Sequence, residues 1–260
     1  MIRNLFAAAL LAALCAGLVT AGLQHFRVTP LILHAETFEG EGGHSHGEAA
    51  VAAEHDHAEG TPAHTHEAAA AVTAVAAEEW APQDGLERTA YTTLATVLAA
   101  AGFALLIGAV SMFAGVPITF ANGFLWGIAG FLTFSLAPAY GLAPELPGMP
   151  AADLVARQVW WVGTALATGA ACLLLARTRA GWAFAVAVAL VAIPHIIGAP
   201  PAPDEASAVP AHLATEFAAI TLGTALVFWL VLGTVFGKLN DVFAARSAHV
   251  PAGAIAGGHL

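Results

Sequence analysis

Three copies of one tripeptide pattern, His44-Ser45-His46, His55-Asp56-His57 and His64-Thr65-His66, lie in a single acidic stretch of the chain. Two imidazoles separated by one residue can approach one ion when the backbone is extended or turned. Glu41, Glu48, Glu54, Asp56, Glu59 and Glu67 add oxygen donors and negative field. Imidazole nitrogen beside carboxylate oxygen is a common ligand set for divalent transition metals, so the chemistry on offer is metal capture. Neutral imidazole ligates at neutral pH and loses that capacity on acidification through about pH 6.5. The competing reading is a low-complexity solvated linker, against which three repeats of one spacing speak. Such a stretch is a collecting arm rather than a selective site. Ordering it costs conformational entropy, and its loose geometry does not exclude competing ions.

The elements that must carry this arm are apolar. With 58% hydrophobic residues, 10% charged residues and a mean hydropathy of +0.75, the chain is an integral membrane protein. Windows long enough to cross a bilayer fall at Leu5–Gly22, Tyr91–Phe113, Ile118–Pro138, Val159–Ala176, Gly181–Ile197 and Leu213–Phe236. The expected fold is all-α, a polytopic membrane helical bundle with five or six transmembrane helices. Pro194, inside the last turns of the fifth window, should loosen them. Gly123 with Gly127, and Gly233 with Gly237, are small-residue pairs suited to close helix contact, within the chain or with another subunit. Cys15 and Cys172 both sit in apolar runs, so neither a disulfide framework nor a cysteine-based zinc ribbon is available. The net charge of -10 argues against nucleic acid and favours cations.

Charge sorting orients the chain. With Arg3 in the cytoplasm, Arg177, Arg179, Lys238 and Arg246 join it there, as the positive-inside rule requires. Every Asp and Glu except Asp241 then falls outside, with all the histidines but His249 and His259. Residues 1–26 read either as a first transmembrane helix or as a signal sequence with a small-residue cleavage site. Residues 35–87 read as a His/Glu-rich outer loop that buries too little to fold alone, 90–238 as the membrane bundle, and 239–260 as a flexible cytoplasmic tail.

A second group of polar residues sits at the outer membrane edge. Gln24 and His25 end the first segment, Arg157 and Gln158 begin the fourth, and His195 follows Pro194. His212 and Glu216, four apart on one helical face, could hold an ion with His195 as third ligand. An interfacial set, with imidazoles at headgroup depth and Arg157 paired to Glu216, is the equal alternative. The midplane holds mainly hydroxyls: Ser135, Thr164, Thr168, Thr221 and Thr224. Met112 and Met149 form no copper-like cluster, and Gly233 to Lys238 has too few intervening residues for a phosphate loop. No nucleophile, base and orienting group stand in an order that would make an enzyme.

Three stretches, Leu136 to Gly148 (LAPAYGLAPELPG), Ala152 to Trp161 (ADLVARQVWW) and Pro194 to Pro200 (PHIIGAP), resemble the CbtA family of proposed cobalt transporter subunits. The resemblance runs from the first apolar segment to about Phe236. It implies a bacterial inner-membrane protein, linked to cobalt supply for cobalamin synthesis, with a small single-helix companion, CbtB. The family motifs fall on Glu145, Asp153, Arg157, Gln158, Trp160, Trp161, His195 and Pro200. The resulting expectation is a subunit of a cobalt(II) uptake transporter. The outward loop, periplasmic or extracellular, gathers the ion, and His195, His212 and Glu216 help pass it inward. Imidazole and carboxylate also accept nickel and zinc. Two other readings compete: a membrane metallochaperone or sensor, and a nickel or zinc efflux component.

Overall fold

The computed structural model describes residues 2–42 and 82–248, and every regular element among them is helical. In chain order these are α1 Ile2–Leu23, α2 Thr29–Gly42, α3 Leu86–Ala114, α4 Phe120–Phe131, α5 Ala137–Gly141, α6 Leu154–Arg177, α7 Gly181–Ile197 and α8 Ala211–Ala248. Single π turns, Gln24–Val28 and Leu132–Leu136, join α1 to α2 and α4 to α5 as continuous rods. Five helical rods are long and apolar enough to cross a membrane, so the chain is a multi-pass all-α membrane protein. α7 has 17 residues and covers about 25 Å, a little less than a hydrocarbon core.

α8 is the central post. α1 and α4 pack along it, α3 lies on α1, and α6 with α7 forms a second hairpin. Small residues make the close contacts, as they must where lipid offers no hydrophobic drive for helix association. Along α1, Ala8, Ala9, Ala12 and Ala16 are fully buried. A Cβ on Gly17 would stand 2.9 Å from Val97 Cα of α3. Gly123 and Gly127 meet Gly233 within this one chain, and Gly237 meets Thr119. A Cβ on Gly127 would lie 2.5 Å from Trp229 O, and one on Gly123 would overlap the Gly233 carbonyl. Trp229, Leu232 and Phe236 fill the space beside this seam.

Two sequence expectations give way here. Residues 35–42, read as loop, continue α2, because Ala35 and Phe38 pack on a cluster of Val28, Leu146, Leu213 and Phe217 that no local periodicity announces. Residues 239–248, read as tail, extend α8. Asn240 Nδ2 donates to Ile118 O at 3.0 Å, and Asp241 Oδ2 accepts from Phe120 N at 2.9 Å. α7 runs through Pro194 to Ile197, and Gly198 N and Trp160 Nε1 both donate to Pro194 O.

The two ends of the bundle differ in charge. Arg177, Lys238 and Asp241 gather where α3 turns into α4, while Glu36, Asp84, Arg88, Glu145 and Arg157 gather at the opposite end.

Candidate functional site

At the acid-rich end the three motif stretches fold into one clasp. Pro147 and Gly148 form a turn in which Met149 N donates to Leu146 O at 3.2 Å, and Gly148 supplies the φ of 77° that side-chain-bearing residues avoid. The chain then enters α6 through Asp153, whose Oδ1 accepts from Ala156 N at 2.9 Å and caps the helix. One turn on, Arg157 Nη2 meets Glu145 Oε2 at 2.9 Å, with both side chains about two-thirds or more buried at 30% and 25% exposure. Trp160 Nε1 donates to Pro194 O at 3.1 Å and binds α6 to α7. Gly198, at φ 88°, ends α7 and turns the chain toward Pro200.

His195 lies inside this clasp. Its Nδ1 is 2.7 Å from Val191 O, its Nε2 is 3.0 Å from Ala137 O, and Tyr140 and Trp160 meet its ring edge to face. Both nitrogens therefore face backbone carbonyls, and ligation of an ion requires the ring to turn. His212 and Glu216 share the exposed face of the first turns of α8. The expected trio of His195, His212 and Glu216 does not assemble: among the described residues no group of three His, Cys, Asp or Glu could hold a metal. His44, His46, His55, His57, His64 and His66 lie outside the described residues.

A cleft of about 480 Å³ opens beside the clasp, lined by Glu145, Arg157, Gln158, Trp161, Ser135 and Thr221 among others. Another cavity, of about 290 Å³, lies between α1, α3 and α8 and is bordered by Thr20, Gln24, Thr96, Ser135, Thr221 and Thr224 among others. Phe134, Ser135, Thr221 and Ala225 line both. Gln24 Oε1 accepts from Thr96 Oγ1 at 2.8 Å, and Ser135 Oγ accepts from Trp229 Nε1 at 3.2 Å. The hydroxyls at Ser135, Thr221 and Thr224 were visible in the sequence as the polar content of the midplane. Thr20 and Thr96 were not, because single threonines in Ala/Leu runs carry no spacing signal.

Two further polar contacts also escape sequence reading. Arg88 binds Glu36 at 2.5 Å and Asp84 at 2.9 Å, so the two stems from which the segment 43–81 departs and returns are tied to each other. Near them His25 Nδ1 stands 3.5 Å from Thr89 Oγ1. At the basic end, Asp241 and Asn240 hold the start of α4 against α8.

No curated protein and no solved structure matches the chain. A family model does, over residues 2–241: it is described as Probable cobalt transporter subunit (CbtA). Its span covers α1, the clasp and all but the last turns of α8, and the chain belongs to this family of cobalt transporter subunits.

Proposed function

We propose that this subunit serves cobalt(II) uptake, and that the ion enters the bundle through the cleft beside Glu145 and Arg157. The positive-inside rule puts the basic end in the cytoplasm and the acid-rich end, with the histidine segment, in the periplasm of a bacterial inner membrane. The paired histidines at 44/46, 55/57 and 64/66 gather the ion, which nickel or zinc would share. His212 and Glu216, exposed at the same end, give it a two-ligand stop on the way in. His195 acts as a strut between α5 and α7. α1 is retained as a membrane helix, since its alanine face is part of the packing. A small CbtB-like subunit completes the transporter, and cobalamin synthesis is the destination of the cobalt.

The observation that carries this reading is the cleft rimmed by the Glu145–Arg157 pair. Glu145 is paired with Arg157 and both border the open cleft, so a divalent cation can take the carboxylate while the freed guanidinium turns to water in the cleft. Cobalt accumulation in cells with and without the gene tests it. Uptake at low external cobalt falls without the chain; equal uptake rejects the proposal, and hypersensitivity to excess nickel or zinc points to efflux instead.

The division of ligands favours one second reading. Imidazoles concentrate at 44–66 while hydroxyls and amides line the interior, as suits a metallochaperone that collects the ion and passes it to a separate permease. Purified chain in vesicles separates the two, because only a permease moves cobalt unaided.

A further inference from the structure

An apolar groove of about 450 Å³ separates α6 from α3 and α4. Leu106 and Val110 of α3, Trp126 and Ala129 of α4, and Leu166 and Leu173 of α6 help to line it, and no charged side chain does. An empty space of this size would forfeit dispersion contacts along every wall, and membrane helices have no hydrophobic drive to close it. From Trp161 to Leu173 the groove runs about 18 Å along α6. That is close to half of a hydrocarbon core of about 30 Å. Phe134 and Trp161, with ring centroids 6.2 Å apart, meet at its inner end. A crossing helix of another chain needs the full thickness of the core and a width of about 10 Å, and these rings stand in its way. A single acyl chain needs one leaflet only.

The mouth at the basic end has the opposite chemistry. Arg177, one turn beyond Leu173, reaches across from α6 and donates to Ala114 O, one turn beyond Val110 on α3. The guanidinium therefore bridges the mouth of the groove while one of its five N–H groups is engaged. Arg179 is exposed two residues further on. Among the described residues neither arginine has a carboxylate partner, and Asp241, the acid of this end, is taken by Phe120 N.

We propose that the groove seats an acyl chain of one anionic phospholipid from the leaflet at the basic end, with the lipid phosphate on Arg177 and Arg179. A guanidinium binds phosphate through parallel N–H bonds, and the headgroup lies at the depth where these two side chains end. Two unpaired cations favour a lipid of net negative charge over a zwitterionic one. The chain of that lipid fills the space between α6 and α3 that Arg177 spans.

The site is independent of the cargo, and its test needs no cobalt. The full chain is placed in phosphatidylcholine nanodiscs with a minority of phosphatidylglycerol whose acyl chain carries a diazirine. Illumination should cross-link this lipid mainly to residues 106–110 and 162–173, and a phosphatidylcholine with the same tail should label them at least fivefold less. Equal labelling by the two lipids, or labelling as strong at Leu98 and Val188 on other exposed faces, means annular lipid only and overturns the site. Segments that neither lipid labels overturn it too, and give the groove to a protein. Arg177→Gln with Arg179→Gln should bring phosphatidylglycerol down to the phosphatidylcholine level, while Arg246→Gln, at the same end on α8, should change nothing. Ala170→Trp keeps both arginines and fills the groove from its exposed lip, so it should abolish the preference even where the arginine variant does not fold. A preference that survives the tryptophan rejects the groove as the seat.

Discussion

The two ends of the bundle use similar residues to opposite effect. At the basic end Asp241, Asn240 and Arg177 all address backbone groups: Phe120 N, Ile118 O and Ala114 O. At the acid-rich end Arg88 and Arg157 address carboxylates, those of Glu36, Asp84 and Glu145. A backbone group held in a folded segment has few other partners, so the first arrangement ties α4 to α8 and the end of α3 to α6. A guanidinium and carboxylate that keep about a quarter to a third of their surface exposed are worth about 1 kcal/mol to each other and can exchange partners. One end is sewn and the other is laced.

Four substitutions test that contrast, in descending order of their effect on stability. Gly237→Leu would drive a side chain into the Thr119 carbonyl on the far side of the sewn end. A loss of about 3 kcal/mol or more should appear in a denaturant titration in detergent, and a variant as resistant as its parent would show that the glycine seam is not what closes this end. Asp241→Ala strips the α4 terminus of its acceptor and should cost about 1–2 kcal/mol, with cobalt flux per folded molecule unchanged. Glu145→Gln should shift stability by no more than about 1 kcal/mol while cobalt flux drops several-fold, the reverse of the Asp241 pattern. If flux and stability fall in step for both variants, the distinction between the ends fails. Arg88→Met should cost only about 0.5 kcal/mol, measured the same way, because its pairs at the loop stems are partly exposed.

Much of this architecture could be read from residue order, and what could not has a common cause. Five membrane-crossing rods emerge from hydropathy because a bilayer imposes length and apolarity on each segment by itself. The glycine pairs announced a close contact. That the contact joins α4 to α8 depends on which helices are neighbours, which no single segment encodes. Ala35 and Phe38 illustrate the same limit: their helix is held by Leu146 and Leu213, more than a hundred residues away, so the local polar pattern read as loop. The clasp was half legible, since its motif residues clustered at one membrane edge. The roles of Trp160 and His195 as ties to backbone carbonyls were not, and His195 looked like a free ligand for that reason. Ser135, Thr221 and Thr224 stood out in the sequence as hydroxyls within apolar spans, yet only three-dimensional convergence with Thr20 and Gln24 puts them around one cavity.

The alanine face of α1 has a further consequence, for biogenesis. It packs against α3 and also against α8, and of this latter pair α1 is made long before α8. About 190 residues separate the end of one from the start of the other, and at roughly 5–20 residues per second the ribosome needs on the order of 10–40 s to deliver the partner. Throughout that interval the part of the strip that meets α8, rather than α3, waits in lipid without its mate. A nascent chain cut short before residue 211 exposes the same strip, a mark by which membrane quality control can tell an unfinished molecule from a complete one.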